Sequence, residues 1–131
     1  MGYKEWIQLK IVNKTDRTLV VKDLYLHWGK LYEYPEKGIE VGLDTANSKE
    51  IKPGKFLTFA SCGRENATHG TEGDLNLFDG DERVMKVYWD SPYWGVNKFS
   101  TYYVAEGWHP SNTRWSPTGE LGPVTLTLFK E

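Results

Sequence analysis

Apolar and polar residues alternate with period two along most of this chain, and no stretch keeps the 3.6-residue period of an amphipathic helix. Ile7, Leu9 and Ile11 alternate with Gln8 and Lys10 before the polar turn Asn13-Lys14-Thr15-Asp16-Arg17. Leu19 and Val21 then set one face of a strand, but Leu24, Leu26 and Trp28 fall on the opposite parity. A one-residue phase shift predicts a β-bulge near Lys22-Asp23, because each residue slipped sends the following side chains to the other face. Ile39, Val41 and Leu43 alternate again after a Tyr34–Gly38 loop. Further strands are expected over Phe56–Ser61, Leu75–Phe78, Val84–Trp89, Phe99–Val104 and Val124–Leu128, with a hairpin turn at Asp79-Gly80-Asp81-Glu82. Eight or nine strands parted by Gly, Pro, Asn and Asp predict an all-β fold. The expected architecture is a single-domain antiparallel β-sandwich of two packed sheets over residues 1–131.

A chain of 131 residues buries about two-thirds of its unfolded surface, so it needs no disulfide or metal for stability. The lone Cys62 excludes an internal disulfide. The net charge is −2, with no basic block. Recognition of a phosphate backbone needs clustered cations, so nucleic acid is excluded as a partner, as is polybasic anchoring to anionic lipid. The longest apolar run, Tyr102-Tyr103-Val104-Ala105, is far short of the ~20 residues of a membrane-spanning helix. Met1–Trp6 has no apolar stretch of the kind that marks a signal peptide. The expectation is a soluble protein, cytoplasmic or released by another route, with the sequons at Asn13 and Asn66 unmodified.

Catalytic and metal chemistry find few candidates. His27, His69 and His109 lie far apart, and none pairs at ligand spacing, so neither a metal nor a cofactor is expected. Cys62 with His69 has no orienting third group, and a buried structural thiol is the better reading. Asp79–Glu82 lacks the ligand spacing of a calcium loop, and Gly70-Thr71-Glu72-Gly73 is too short to cradle a phosphate. The chain is not expected to be an enzyme.

Aromatic residues are what the chain has in surplus: they make up 15% of it, including 6 Trp. Trp89-Asp90-Ser91-Pro92-Tyr93-Trp94-Gly95 is the densest cluster, and Pro92 with Gly95 marks a turn that presents Tyr93 and Trp94 at its tip. Trp108-His109-Pro110 and Trp115-Ser116-Pro117 repeat the theme in what reads as a long loop. Such rings suit a water–hydrocarbon boundary and bind quaternary ammonium through their quadrupole. They stack equally well on a sugar face, so a lectin-like glycan-binding module is the alternative; plugging the sandwich ends is the structural one.

Trp6, Trp28-Gly29-Lys30, Cys62-Gly63-Arg64 with Gly70-Thr71-Glu72-Gly73, Tyr88-Trp89-Asp90-Ser91-Pro92 with Trp94-Gly95, and Gly122-Pro123-Val124-Thr125 together resemble the aegerolysins. The resemblance runs from about residue 3 to residue 129. It implies a small acidic β-sandwich that binds membrane sphingolipid, with or without sterol: sphingomyelin with cholesterol, or ceramide phosphoethanolamine. It also implies a larger perforin-like (MACPF) partner that forms the pore, which makes this chain the targeting half of a cytolytic pair. Carried over by position, Trp6, Trp28 and Trp94 are lipid-binding candidates, joined by His69, Trp89, Tyr93 and Lys98, the last to meet phosphate. His69 and the inserted Tyr93 depart from the family pattern and bear on headgroup choice, and Ser91 replaces a second cysteine found in some members. An imidazole at position 69 would also make binding sensitive to mild acidity, since histidine ordinarily titrates near ~6.5. No alternating segment is left over to form a membrane hairpin, so the chain is expected to dock on a bilayer without spanning it.

Overall fold

The structure, a computed structural model, describes residues 2–131. Its strands are β1 (Trp6–Asn13), β2 (Leu19–Trp28), β3 (Lys30–Glu33), β4 (Glu36–Val41), β5 (Glu50–Ile51), β6 (Phe56–Cys62), β7 (Thr71–Asp79), β8 (Glu82–Ser91), β9 (Lys98–Tyr102), β10 (Trp108–Asn112) and β11 (Gly122–Lys130). They form a six-stranded sheet, ordered β10-β11-β1-β6-β3-β4, packed on a five-stranded sheet, ordered β5-β2-β7-β8-β9. Pairing is antiparallel except between β1 and β11, which run parallel.

The core follows from the alternation. Ile7, Leu9 and Ile11 of β1 and Val124, Leu126 and Leu128 of β11 point inward from one sheet. Leu19 and Val21 of β2, Leu75 and Leu77 of β7 and Val87 and Trp89 of β8 meet them from the other in a single cluster. The bulge lies where the parity change placed it: pairing of β2 with β7 shifts between Lys22 and Tyr25, and Asp23 takes φ +57°. Asp79 pairs with Glu82 across a two-residue turn whose Gly80 has φ +62°.

Three local expectations are corrected, and Phe56, within its expected strand, faces outward. Leu43 belongs to a 3-10 turn, Leu43–Thr45, because the chain leaves the six-stranded sheet after β4 and crosses to β5 in the other. Phe56 is 60% exposed, out of phase with Phe59 and Leu57, and lies under the Lys10 ammonium on the outer face. Trp108 begins a strand instead of lying in a loop. Pro110 is accommodated because β10 is an edge strand, where a missing N–H breaks no ladder. Trp108 is buried and Trp115 packs on the core, so neither is presented to solvent as the loop reading had it.

A buried chain of hydrogen bonds joins the sheets at one end of the sandwich. The Trp89 indole N–H donates to Thr71 Oγ1 (3.1 Å), Thr71 and Ser61 hydroxyls lie 2.6 Å apart, and Ser61 donates to the Lys30 carbonyl (2.8 Å). Because the Ser61 proton is used on Lys30, Thr71 must donate to Ser61, so all the donors run in one direction. Thr71→Val strands the buried indole N–H and is expected to cost about 1–3 kcal/mol in urea denaturation. Thr71→Val combined with Trp89→Phe should cost less than the two singles added, since both remove the same bond.

Candidate functional site

The end of the sandwich marked by this chain of bonds carries a cleft of about 210 Å³. Three connections shape it: the β2–β3 corner at Gly29, the loop from Gly63 to Gly70 after β6, and the Pro92–Asn97 loop after β8. Gly29 takes φ +94°, and a Cβ there would lie 2.5 Å from the Cys62 carbonyl. A Cβ on Gly70 would come within 1.9 Å of the Ser91 carbonyl oxygen. Glycine at both positions lets three backbone segments approach closely enough to set side chains from both loops around one hollow.

Those side chains are mainly aromatic. His69 stacks flat on Trp28, with ring centroids 3.6 Å apart and planes 9° off parallel. Opposite them, Tyr93 meets Trp94 edge to face at 4.9 Å. Trp94 is 78% exposed and Trp28 49%, so neither ring is spent on core packing. Glu72 and Asp90, cross-strand neighbours on β7 and β8, supply acidic groups to the same hollow. The Tyr88 hydroxyl donates to Glu72 Oε2 and holds that carboxylate in place. Burial, then the Glu72 charge, raises the Asp90 pKa above the usual carboxylate range, while Lys98 pulls it back down. Rings flanking two carboxylates in a concave site attract a cation with apolar substituents through charge and ring quadrupole together.

Of the residues expected at a binding site, Trp28, His69, Tyr93 and Trp94 come together here. Trp89 does not: it is fully buried in the core, and its indole N–H is committed to Thr71, so its placement as a lipid contact is corrected to a support beneath the cleft. Trp6 lies outside the cleft, its ring 5.9 Å from Tyr34 with the Lys37 ammonium above it at 5.1 Å. Lys98 is exposed on β9 opposite Asp90, beside the cleft without lining it. Sequence reasoning assigned no role to Glu72 or Asp90. The signal lay in their outward parity at the ends of two strands, but only the β7–β8 register makes them neighbours. Cys62 is buried with its thiol pKa pushed up to about 11, chiefly by burial, which leaves it a poor nucleophile at neutral pH.

The molecule is a small β-sandwich whose end presents exposed Trp28 and Trp94 around a cleft that also holds two carboxylates. The aegerolysin family model matches residues 4–131, and the chain belongs to the aegerolysin family. Ostreolysin A6 of Pleurotus ostreatus is 34% identical, with 100% of this chain and 99% of that protein aligned. Asp-hemolysin of Aspergillus fumigatus is 33% identical over 99% of this chain and 96% of its own. Among solved structures, RahU, crystallised in complex with a TRIS molecule, superposes with a TM-score of 0.91 at 33% identity, covering 99% of this chain and 98% of that one. The lipid binding protein Nakanori shares the fold at 13% identity, with a TM-score of 0.66 over 98% of this chain and 73% of its own.

Two outcomes follow from the cleft geometry. Gly70→Ala is expected to destabilise the fold by about 1–3 kcal/mol and to lift His69 off Trp28, read as a red shift in tryptophan emission. The folded state binds the Asp90 proton more tightly than the unfolded state does, so the Asp90 charge costs stability as pH rises past the ordinary carboxylate range of about 4. Asp90→Asn should therefore raise Tm at neutral pH and change it little in acid below that range, as measured by calorimetry.

Proposed function

We propose that this chain docks on membranes by taking the cationic headgroup of a zwitterionic sphingolipid into the Trp28–His69–Tyr93–Trp94 cleft. The ligand would be sphingomyelin with cholesterol, or ceramide phosphoethanolamine. The observation that carries the reading is the pairing of exposed rings with the Glu72 and Asp90 carboxylates in one hollow. A choline or ethanolamine ammonium fits between them, and Lys98, exposed next to Asp90, is available to the adjoining phosphate. Trp94, at the tip of its loop, would sit at headgroup depth.

The same reading makes the chain the targeting half of a two-component cytolysin, with a perforin-like partner supplying the pore. Every strand is already paired within the two sheets, and among the described residues no helix is long and apolar enough to cross a membrane. Spanning requires a closed barrel or a helix, so the wall of any pore must come from elsewhere.

Sedimentation with vesicles of sphingomyelin and cholesterol, of ceramide phosphoethanolamine, and of phosphatidylcholine alone tests the reading. Wild type is expected to pellet with at least one of the sphingolipid vesicles, and phosphatidylcholine, which carries the same headgroup as sphingomyelin, reads whether the headgroup alone suffices. Trp94→Ala is expected to abolish pelleting while changing stability by no more than about 0.5 kcal/mol. Unchanged pelleting of that variant, or binding to a glycan array without binding to vesicles, would overturn the proposal.

A further inference from the structure

The outer face of the five-stranded sheet carries a second group of rings, none of them in the core or lining the cleft. Lys86 and Tyr88 of β8, Tyr102 of β9 and Tyr103 just after it line a groove of about 260 Å³. Tyr88 meets Tyr102 edge on at 6.3 Å, and Tyr102 lies 6.3 Å from Tyr103. Along β8 the groove begins at Tyr88, two residues from Asp90 and roughly 7 Å at strand rise, so the groove and the cleft adjoin.

Tyr103 is the unusual residue. It takes φ +54°, a left-handed conformation that costs a bulky L-residue on the order of 1–2 kcal/mol, and it is 68% exposed. Burial therefore does little to offset the strain. The backbone is held there by the Ala105 N–H, which donates to the Val84 carbonyl at 2.8 Å. That conformation sets the ring under Arg83, whose guanidinium carbon lies 4.6 Å from the ring centroid. Among the described residues no carboxylate pairs with Arg83, whereas Lys86 is shared with Asp74 at 3.7 Å, and Asp74 with His27 at 2.9 Å. The Tyr88 hydroxyl is committed to Glu72, so Tyr88 offers the groove only its ring.

We infer that this groove binds a carboxylate-bearing sugar, a uronic or sialic acid residue of a surface glycan. The ring faces suit the apolar face of a pyranose, and the free hydroxyls of Tyr102 and Tyr103 suit its hydroxyl groups. The Arg83 fork, unpaired and steadied by the Tyr103 ring, takes the carboxylate by two parallel hydrogen bonds. Lys86 is offset by Asp74, so Arg83, at the groove's rim over Tyr103, supplies the charge that sets its ligand apart in sign from that of the cleft.

Titration of the isotopically labelled protein by amide NMR, without vesicles, tests this separately from lipid binding. Glucuronate and N-acetylneuraminate are expected to shift the amides of Lys86, Tyr102 and Tyr103 saturably. Glucose should bind roughly tenfold or more weakly, the difference expected of a charge-assisted hydrogen-bonded pair. Arg83→Gln should bring glucuronate down to the level of glucose. Tyr103→Gly should lose both sugars while Tm holds or rises, because glycine takes that φ without strain. The proposal is overturned if neither acidic sugar shifts these amides, if Arg83→Gln leaves glucuronate affinity unchanged, or if an oligoglutamate peptide binds in preference to the sugars.

Discussion

The chain of hydrogen bonds from Trp89 through Thr71 and Ser61 to the Lys30 carbonyl is the constraint on which the functional end of the molecule depends. Thr71 begins a strand of one sheet and Ser61 lies near the end of a strand of the other, so the bonds cross the core where hydrophobic contacts alone would let the sheets slide. Each polar group in the chain is fully buried and satisfied, and burying any of them without a partner would cost more than the bond itself contributes. With the sheets locked there, Gly29 and Gly70 can bring their backbones against Cys62 and Ser91, and the rings of the two loops face one another. The buried Trp89 thus has its effect through position, by holding the floor on which the exposed aromatics stand.

Charge explains how such a protein recognises a surface without a basic patch. The net charge of −2 gives no long-range attraction to anionic bilayers. The proposed recognition is accordingly short-ranged, by shape, rings and two carboxylates at the end of the sandwich. Farther along the same sheet the local sign reverses, with Arg83 and Lys86 among tyrosines. The two proposed sites, one for a cation and one for an anion, therefore adjoin, an arrangement that a nearly neutral overall charge conceals.

Much of the fold was legible because period two is a local property. The parity change after Val21 announced the bulge, and Asp79–Glu82 announced the hairpin, since each depends only on adjacent residues. The departures share one cause. Leu43, Phe56 and Trp108 have the composition of strand or loop residues, but their roles depend on where the chain crosses between sheets, which face a neighbour covers, and which strand is an edge. Tyr93 and Trp94 could be picked out because loop rings in excess of core needs stand out in composition, whereas Trp28 came from the family resemblance and His69 from its departure from the family pattern. Trp6 and Lys98 fell outside the cleft because proximity in sequence motifs says nothing of which face of a sheet a residue takes.

The sequence alone determined an all-β sandwich, a nearly neutral charge and an aromatic surplus concentrated after Trp89, because alternation, charge and composition are properties of the chain itself. The tertiary structure decided which of those rings are free and which are structural: Trp94 stands in solvent, while Trp89, five residues earlier, is sealed in the core. It also decided that Glu72 and Asp90, eighteen residues apart, share one hollow. Strand register and the close approach of glycine backbones create those neighbours, and both arise only when distant segments pair.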